Sequence, residues 1–243
     1  MTLCYPTLIP GVLLKRYKRF LADVRLDDGR EVVAHCPNTG SMKAVNVPGC
    51  RVWLSPSDNP KRKLAWTWEL IGLPQPDGTQ ALASVHTGRT NRIVEAALSD
   101  GTVAALTGYA TLKREVKVDE ARLDFLLSDP MRGNAYIEVK QVTLKEADGH
   151  GYFPDAVSVR GTKHLQTLAR LAQRGERAVL VFCVAHEGIE DVAPAAHIDP
   201  AYAAALKDAL RHGVEVLAYG VTFEREGKAP TVVKLSRALP VRV

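Results

Sequence analysis

Three residues in the middle of the chain carry the strongest chemical signal: Asp124 in ARLDFLL, and Glu138 with Lys140 in AYIEVKQVTL. Two carboxylates converging from neighbouring strands hold a hard divalent cation through oxygen, and a nearby lysine lies beside the water such an ion activates. Side chains alternate along a strand, so Glu138 and Lys140 point to one face. The Glu-x-Lys triplet alone says little, because it recurs at Glu115 to Lys117 and Glu226 to Lys228. The first rival has only Asp100 upstream, in the turn sequence SDGT, and the second lies in EREGKAP, where Gly and Pro mark a hairpin loop. Glu138 alone sits at the end of an apolar run with a second acid-bearing run just before it. The chemistry suggested is metal-dependent phosphodiester hydrolysis, with Asp124, Glu138 and the Val139 carbonyl ligating Mg²⁺ or Mn²⁺ and Lys140 orienting the water or offsetting developing charge.

Other residues could serve the same site. Glu95, on the helix read from TNRIVEAALSDG, is a third acid able to support the metal or an activated water; its alternative is an ion pair with Arg92, three residues earlier. GYFPDAVSVRGTKHL gathers Asp155, Arg160, Lys163 and His164 around a helix start, where backbone N–H groups and Arg favour phosphate. Asp155 could instead cap a turn, and His164 could be a buried structural histidine. A net charge of +5 is unevenly spread: residues 1 to 80 hold eleven Lys and Arg against seven Asp and Glu. Its clusters are KRYKR (Lys15, Arg16, Lys18, Arg19) and PKRK (Lys61, Arg62, Lys63), the first interleaved with Tyr17 and followed by Phe20. Such clusters suit phosphate contact with base stacking, or are simply a solvated face.

The elements that must position these residues fall into two groups. Up to residue 85, FLADVRL, EVVAH, RVWLS, LAWTWEL and ALASV read as five short strands between turn signals, which predicts a small OB-like barrel. In LAWTWEL, Leu64, Trp66, Trp68 and Leu70 share a face that is read as core in preference to a stacking platform. Residues 86 to 243 mix strands (LKREVKV, ARLDFLL, AYIEVKQV, AVLVFCV, VEVLAYGV, TVVKLS) with helices over SVRGTKHLQTLARLAQRGE and PAYAAALKDALRHG. AVLVFCV has no alternation and predicts a strand buried on both faces, hence an α/β sheet between helices. The four cysteines show no C-x-x-C pairing, His35 beside Cys36 points to the opposite strand face, and no apolar run reaches membrane-spanning length. A cytoplasmic protein is expected.

HCPNTGSM (35–42), SDNPKRKLAWTWELI (57–71), ARLDFLL (121–127), YIEVKQVTL (136–144), FPDAVSVRGTKHL (153–165) and HGVEVLAY (212–219) together resemble the sugar fermentation stimulation protein A family, in order and over nearly the whole chain. The resemblance implies an α/β (α+β overall) protein: an N-terminal OB-like barrel followed by a PD-(D/E)xK, restriction-endonuclease-like mixed sheet flanked by helices. It also implies sequence-independent DNA binding linked to regulation of sugar, notably maltose, utilisation. The family's acidic-lysine core maps to Asp124, Glu138 and Lys140, and its FPDA segment to Asp155, Arg160, Lys163 and His164. Ala121 stands where the family has Ser, and Val157-Ser158 where it has Pro-Thr. Two uses stay open: a Mg²⁺- or Mn²⁺-dependent nuclease, or a non-catalytic DNA-binding regulator, able to oligomerise, whose nuclease-like domain is a scaffold.

Overall fold

In the computed structural model, which describes residues 3–243, the described chain starts in a short strand, β1 (Leu3–Cys4), and then builds a barrel from β2 (Ile9–Tyr17), β3 (Leu21–Leu26), β4 (Glu31–His35), β5 (Arg51–Pro56) and β6 (Trp66–Pro74). The strands lie in the order β4-β3-β2-β5-β6, and a parallel pairing of Ala34 with Trp66 and His35 with Thr67 closes the ring. This is the expected five-stranded OB barrel, but its membership differs from the sequence reading by one strand. Residues 9–17 are a barrel strand, whereas β7 (Gln80–Ser84) lies outside the ring, paired to β6. Pro10 and Gly11 disguise β2; a Cβ on Gly11 would lie 2.7 Å from the Arg25 carbonyl oxygen, so close strand packing requires glycine there. Leu13, Val24, Leu54 and Trp68 fill the barrel.

The second unit follows as α1 (Thr87–Ser99), β8 (Thr111–Val118), β9 (Ala121–Asp129), β10 (Gly133–Val142), β11 (Leu144–Lys145), β12 (Gly151–Phe153), α2 (Val159–Gln173), β13 (Arg177–Val184), β14 (Val192–Pro194), α3 (Pro200–Arg211), β15 (Glu215–Glu226) and β16 (Ala229–Leu239). Its main sheet has the order β1-β16-β15-β13-β10-β9-β8, parallel across β10, β13 and β15 and antiparallel elsewhere. β11, β12 and β14 form a small side sheet. Central β13 is buried on both faces, as its unbroken apolar run requires. On one face α1 packs Ile93, Val94 and Ala97 against Phe125, Ile137 and Val181; on the other, α2 and α3 pack Leu165, Leu168 and Leu206 against Leu180, Phe182 and Val184. The result is a restriction-endonuclease-like mixed sheet flanked by helices. β1 belongs to this sheet although it precedes the barrel in sequence, so residues 1–85 are not all in the barrel unit.

A β-bulge joins the two units. Trp53 pairs with Leu70 and Leu54 with Trp68, leaving Glu69 as an extra residue in β6. The bulge turns the strand: Trp68 packs inside the barrel while Leu70 packs against α1. The tryptophan stripe is thus core, as read, but shared between two cores. Buried Glu69 accepts two hydrogen bonds from Arg89 of α1 (2.5 and 2.8 Å) and one from Ser55 Oγ (2.7 Å), and the Arg89 guanidinium lies over the Tyr5 ring at 4.6 Å.

Candidate functional site

The paired carboxylates sit where the sheet opens. The β9–β10 ladder ends at the pair Phe125 and Ile137, and beyond it the strands part. Between the β8–β9 pairs Arg114 with Phe125 and Val116 with Leu123, the pair Glu115 with Asp124 is missing, and Glu115 adopts a left-handed φ of 54°. Leu123 packs in the α2-side core and Phe125 in the α1-side core, although residues two apart on a regular strand share a face. β9 therefore turns over at Asp124 and offers its carboxylate to β10. There Val139 N–H donates to Asp124 Oδ2 (2.8 Å), and Asn91 Nδ2 of α1 donates to Oδ1 (2.7 Å). Backbone strain of this kind, about 1–3 kcal/mol, persists where surrounding packing imposes it and is frequent at functional sites.

Glu138 and Lys140 share the α2-facing side of β10, as alternation requires. Lys140 Nζ donates to Glu138 Oε1 at 2.5 Å, and His164 Nδ1 meets the same oxygen at 2.5 Å. Glu138 Oε2 is buried without any partner. The two acids differ in their protonation. Burial, then the charge of Glu138, pushes Asp124 up to about 6 against the pull of its two hydrogen bonds and Lys140. Burial also works against ionisation of Glu138, but the His164 hydrogen bond and the Lys140 charge outweigh it and hold that carboxyl below its ordinary value. An ionised Glu138 can only accept, so His164 Nδ1 carries the hydrogen. Its Nε2 then accepts from Arg160 Nε at 3.3 Å.

The helix bearing His164 is fixed by nested caps. Ser158 Oγ accepts from Gly161 N–H (3.1 Å), while buried Asp199 accepts from Ser158 N–H (2.7 Å) and, as the cap of α3, from Tyr202 N–H (2.9 Å). Each such cap contributes about 1 kcal/mol. A Cβ on Gly161 would lie 2.7 Å from the capping Ser158 Oγ and 3.1 Å from the Tyr202 ring, so glycine suits both the cap and the close approach of α2 to α3.

Several residues singled out in the sequence have other employment. Glu95 does not join the carboxylates: it pairs with Arg114 of β8 at 3.7 Å, and not with Arg92. Asp155 is a clasp, its Oδ2 accepting from Met42 N–H (2.8 Å) and its carbonyl from Ser41 Oγ (2.9 Å), which ties the β4–β5 loop of the barrel to the second unit. Arg16 is consumed by the carbonyls of Arg19, Asn38 and Gly40. His164 is buried against Glu138 and does not face solvent. Lys18, Arg19, Lys61, Arg62, Lys63, Arg160 and Lys163 are exposed, and exposed Lys15 pairs with Asp23 at 3.4 Å. Arg62 and Lys63 line an open groove with His35 and His86, and Arg160 and Lys163 line another with Arg122 and Arg170. Sequence reasoning missed Asn91, whose signal was its place one turn before Glu95 on the same helix face.

Two neighbouring carboxylates, one of them with a buried oxygen that takes no hydrogen bond, have the donor chemistry that suits a hard cation. Among the described residues no cluster of three or more His, Cys, Asp or Glu could hold one. A cation here would keep several waters, which is the habit of Mg²⁺. No helix among the described residues is long and apolar enough to cross a membrane.

Two family models match the chain: the Sugar fermentation stimulation protein RE domain over residues 88–227 and the SfsA N-terminal OB domain over residues 14–81. The sugar fermentation stimulation protein homolog of Chromohalobacter salexigens is 63% identical, covering 98% of this chain and 94% of its own length. That of Shewanella sp. (strain MR-4) is 54% identical over 98% of each. Among solved structures, Pyrococcus furiosus SfsA in complex with Ca²⁺ aligns over 100% of both chains with a TM-score of 0.86 at 29% identity.

Proposed function

Because this chain belongs to the sugar fermentation stimulation protein family, we propose that it is a DNA-binding protein whose nuclease-like domain binds a divalent cation and hydrolyses phosphodiester bonds. The observation that carries this is the buried, partnerless Oε2 of Glu138 beside Asp124. Asp124 and that oxygen would hold Mg²⁺ or Mn²⁺, and the Ca²⁺ in the complex of the Pyrococcus furiosus relative supports the choice of a hard ion. When bound, such an ion lowers the pKa of its water and stabilises charge developing on phosphate. Lys140 keeps Glu138 ionised and places a cation beside the scissile phosphate. Asn91 and the Val139 N–H fix the orientation of Asp124. The test is incubation of the protein with single- and double-stranded DNA and Mg²⁺ or Mn²⁺. Metal-dependent products that vanish in Glu138→Ala are expected, and none above that control would overturn the catalytic role.

His164 is a positioning residue in this scheme. By occupying Oε1 it leaves Oε2 for the ion. His164→Ala is expected to weaken Ca²⁺ binding about tenfold or more in calorimetric titration, with partial recovery in His164→Gln, whose amide can still donate. Unchanged affinity would remove that role.

The barrel unit, built on β2–β6, supplies the DNA contact together with the α2-side groove: Lys15, Lys18, Arg19, Lys61, Arg62 and Lys63 in the first, Arg160 and Lys163 in the second. Contact through phosphates is largely sequence-independent. With these eight cations on phosphates, affinity is expected to fall on the order of 10³–10⁴-fold between 50 and 200 mM salt in a gel-shift series, and a strong preference for one sequence with little salt response would contradict it. We assign this binding to the regulation of sugar, notably maltose, utilisation that the family resemblance implies; unchanged maltose-dependent transcription in a deletion strain would sink that assignment.

A second use is favoured by the charge balance of Glu138, which Lys140 already supplies without an ion. In that case the nuclease-like domain is a scaffold for a regulator. Absence of heat on titrating millimolar Mg²⁺ or Mn²⁺ would select it.

A further inference from the structure

Between the two units lies a cleft of about 290 Å³ whose floor is Val139 and Lys140, the residues that engage Asp124 and Glu138. Its walls come from both units: Asn38 from the β4–β5 loop, Thr87 and Asn91 from the first turns of α1, Phe153 from the end of β12 and Asp155 from the segment after it. Two clasps on either side of Asn38 hold the barrel lip in place. Thr87 Oγ1 donates to the Pro37 carbonyl (2.7 Å), and Asp155 takes the hydrogen bonds of Ser41 and Met42. Arg16, bonded to the carbonyls of Asn38 and Gly40, ties the same lip to the basic β2–β3 turn, and the Arg62–Lys63 groove adjoins it through Pro37 and His86.

We infer that this cleft receives one unpaired nucleotide, which makes single-stranded or frayed nucleic acid the substrate class of the carboxylate site. The inference rests on the metal-dependent role proposed above. The cleft is at the small end of ligand-pocket volumes, and a duplex whose major groove alone is about 12 Å wide cannot enter while both clasps hold the lip. Its lining suits a base more than a second phosphate. The donor and acceptor positions of Asn38, Asn91 and Thr87 left outside their hydrogen bonds within the protein, Asn38 Nδ2 as donor and Asn91 Oδ1 and Thr87 Oγ1 as acceptors, can meet a Watson–Crick edge, and Phe153 offers an aromatic surface. Asp155 Oδ1 stands outside the clasp, able to accept from an exocyclic amine and repulsive to phosphate. Lys140, the cation of the cleft floor, is bonded to Glu138, so the sugar-phosphate of a bound nucleotide lies against that floor.

The experiment compares binding of a single strand and a blunt duplex of equal phosphate count, each carrying 2-aminopurine, at one salt concentration and in chelator so that no cleavage intervenes. The single strand is expected to bind about tenfold more tightly, with a change in 2-aminopurine emission. Asn38→Trp, which fills the cleft from an exposed loop, is expected to bring single-strand affinity to the duplex level. Equal affinities in the unmodified protein overturn the inference and leave metal-dependent cleavage of duplex standing. Binding of neither oligonucleotide removes both, and the comparison in the unmodified protein does not depend on whether the tryptophan variant folds.

Discussion

Asp124→Asn is expected to make the metal-free protein more stable at pH 7 while abolishing divalent-cation binding and metal-dependent cleavage. Burial and the neighbouring Glu138 push Asp124 up to about 6, so at neutral pH the fold carries a charge it disfavours. At 1.36 kcal/mol per pK unit, and allowing for partial exposure, the penalty is about 2 kcal/mol. A raised carboxyl pKa favours the native state fully below the unfolded value near 3.8, and that advantage is lost as pH rises through 6. Asparagine removes the charge without removing the hydrogen bonds: its oxygen accepts from Val139 N–H, and a flipped Asn91 amide accepts from its nitrogen. Urea unfolding of both proteins should coincide near pH 4, diverge between pH 4 and 6 in favour of the variant, and stay apart at higher pH. A variant less stable than the native chain at pH 7 would show that the carboxylate is not strained by its surroundings.

The second large effect is at the joint between the units. Glu69→Ala leaves the buried Arg89 guanidinium without its two charge-assisted hydrogen bonds and is expected to cost about 3–5 kcal/mol. The double variant Glu69→Met with Arg89→Met should recover most of that loss, because replacing both ions with apolar side chains is often neutral or better. Denaturant titration monitored by tryptophan fluorescence suits the measurement, since Trp53 and Trp68 flank the bulge. A double variant as unstable as the single one would mean that the ion pair is itself net stabilising at the joint, and not merely costly to break.

The sequence carried the long-period information and lost the local irregularities. β13 was legible from RAVLVFCV because burial on both faces leaves no polar residue, and α1 from the spacing of Ile93, Val94 and Ala97. β2 was hidden because a proline and a glycine, ordinarily turn residues, are used just beyond the end of the β3 pairing and at a close strand approach. Asp124, Glu138 and Lys140 could be chosen over their rivals by strand context, yet the reversal of β9 at Asp124 breaks the alternation from which faces are read. Residues that act on other residues were the least visible. The sequence leaves His164 open as a phosphate ligand or a buried structural histidine, and Asp155 as a site residue or a turn cap; their partners Glu138 and Met42 lie 26 and 113 positions away. Arg16 looked identical to its basic neighbours until the carbonyls of the β4–β5 loop claimed it.

The pairing of β1 with β16, Leu3 with Val233 and Cys4 with Val232, sets the order in which the molecule can be completed. Contacts of such sequence separation carry the highest loop-closure cost and form late. The barrel can close from β2–β6 during synthesis, but the segment preceding it must wait, unpaired, until residues 229–239 have emerged. The last edge of the sheet is therefore a seal, made only when the whole chain is present. Circular permutants that place β1 directly after β16 would turn this slow closure into a local hairpin and are expected to fold faster without a change in the finished sheet.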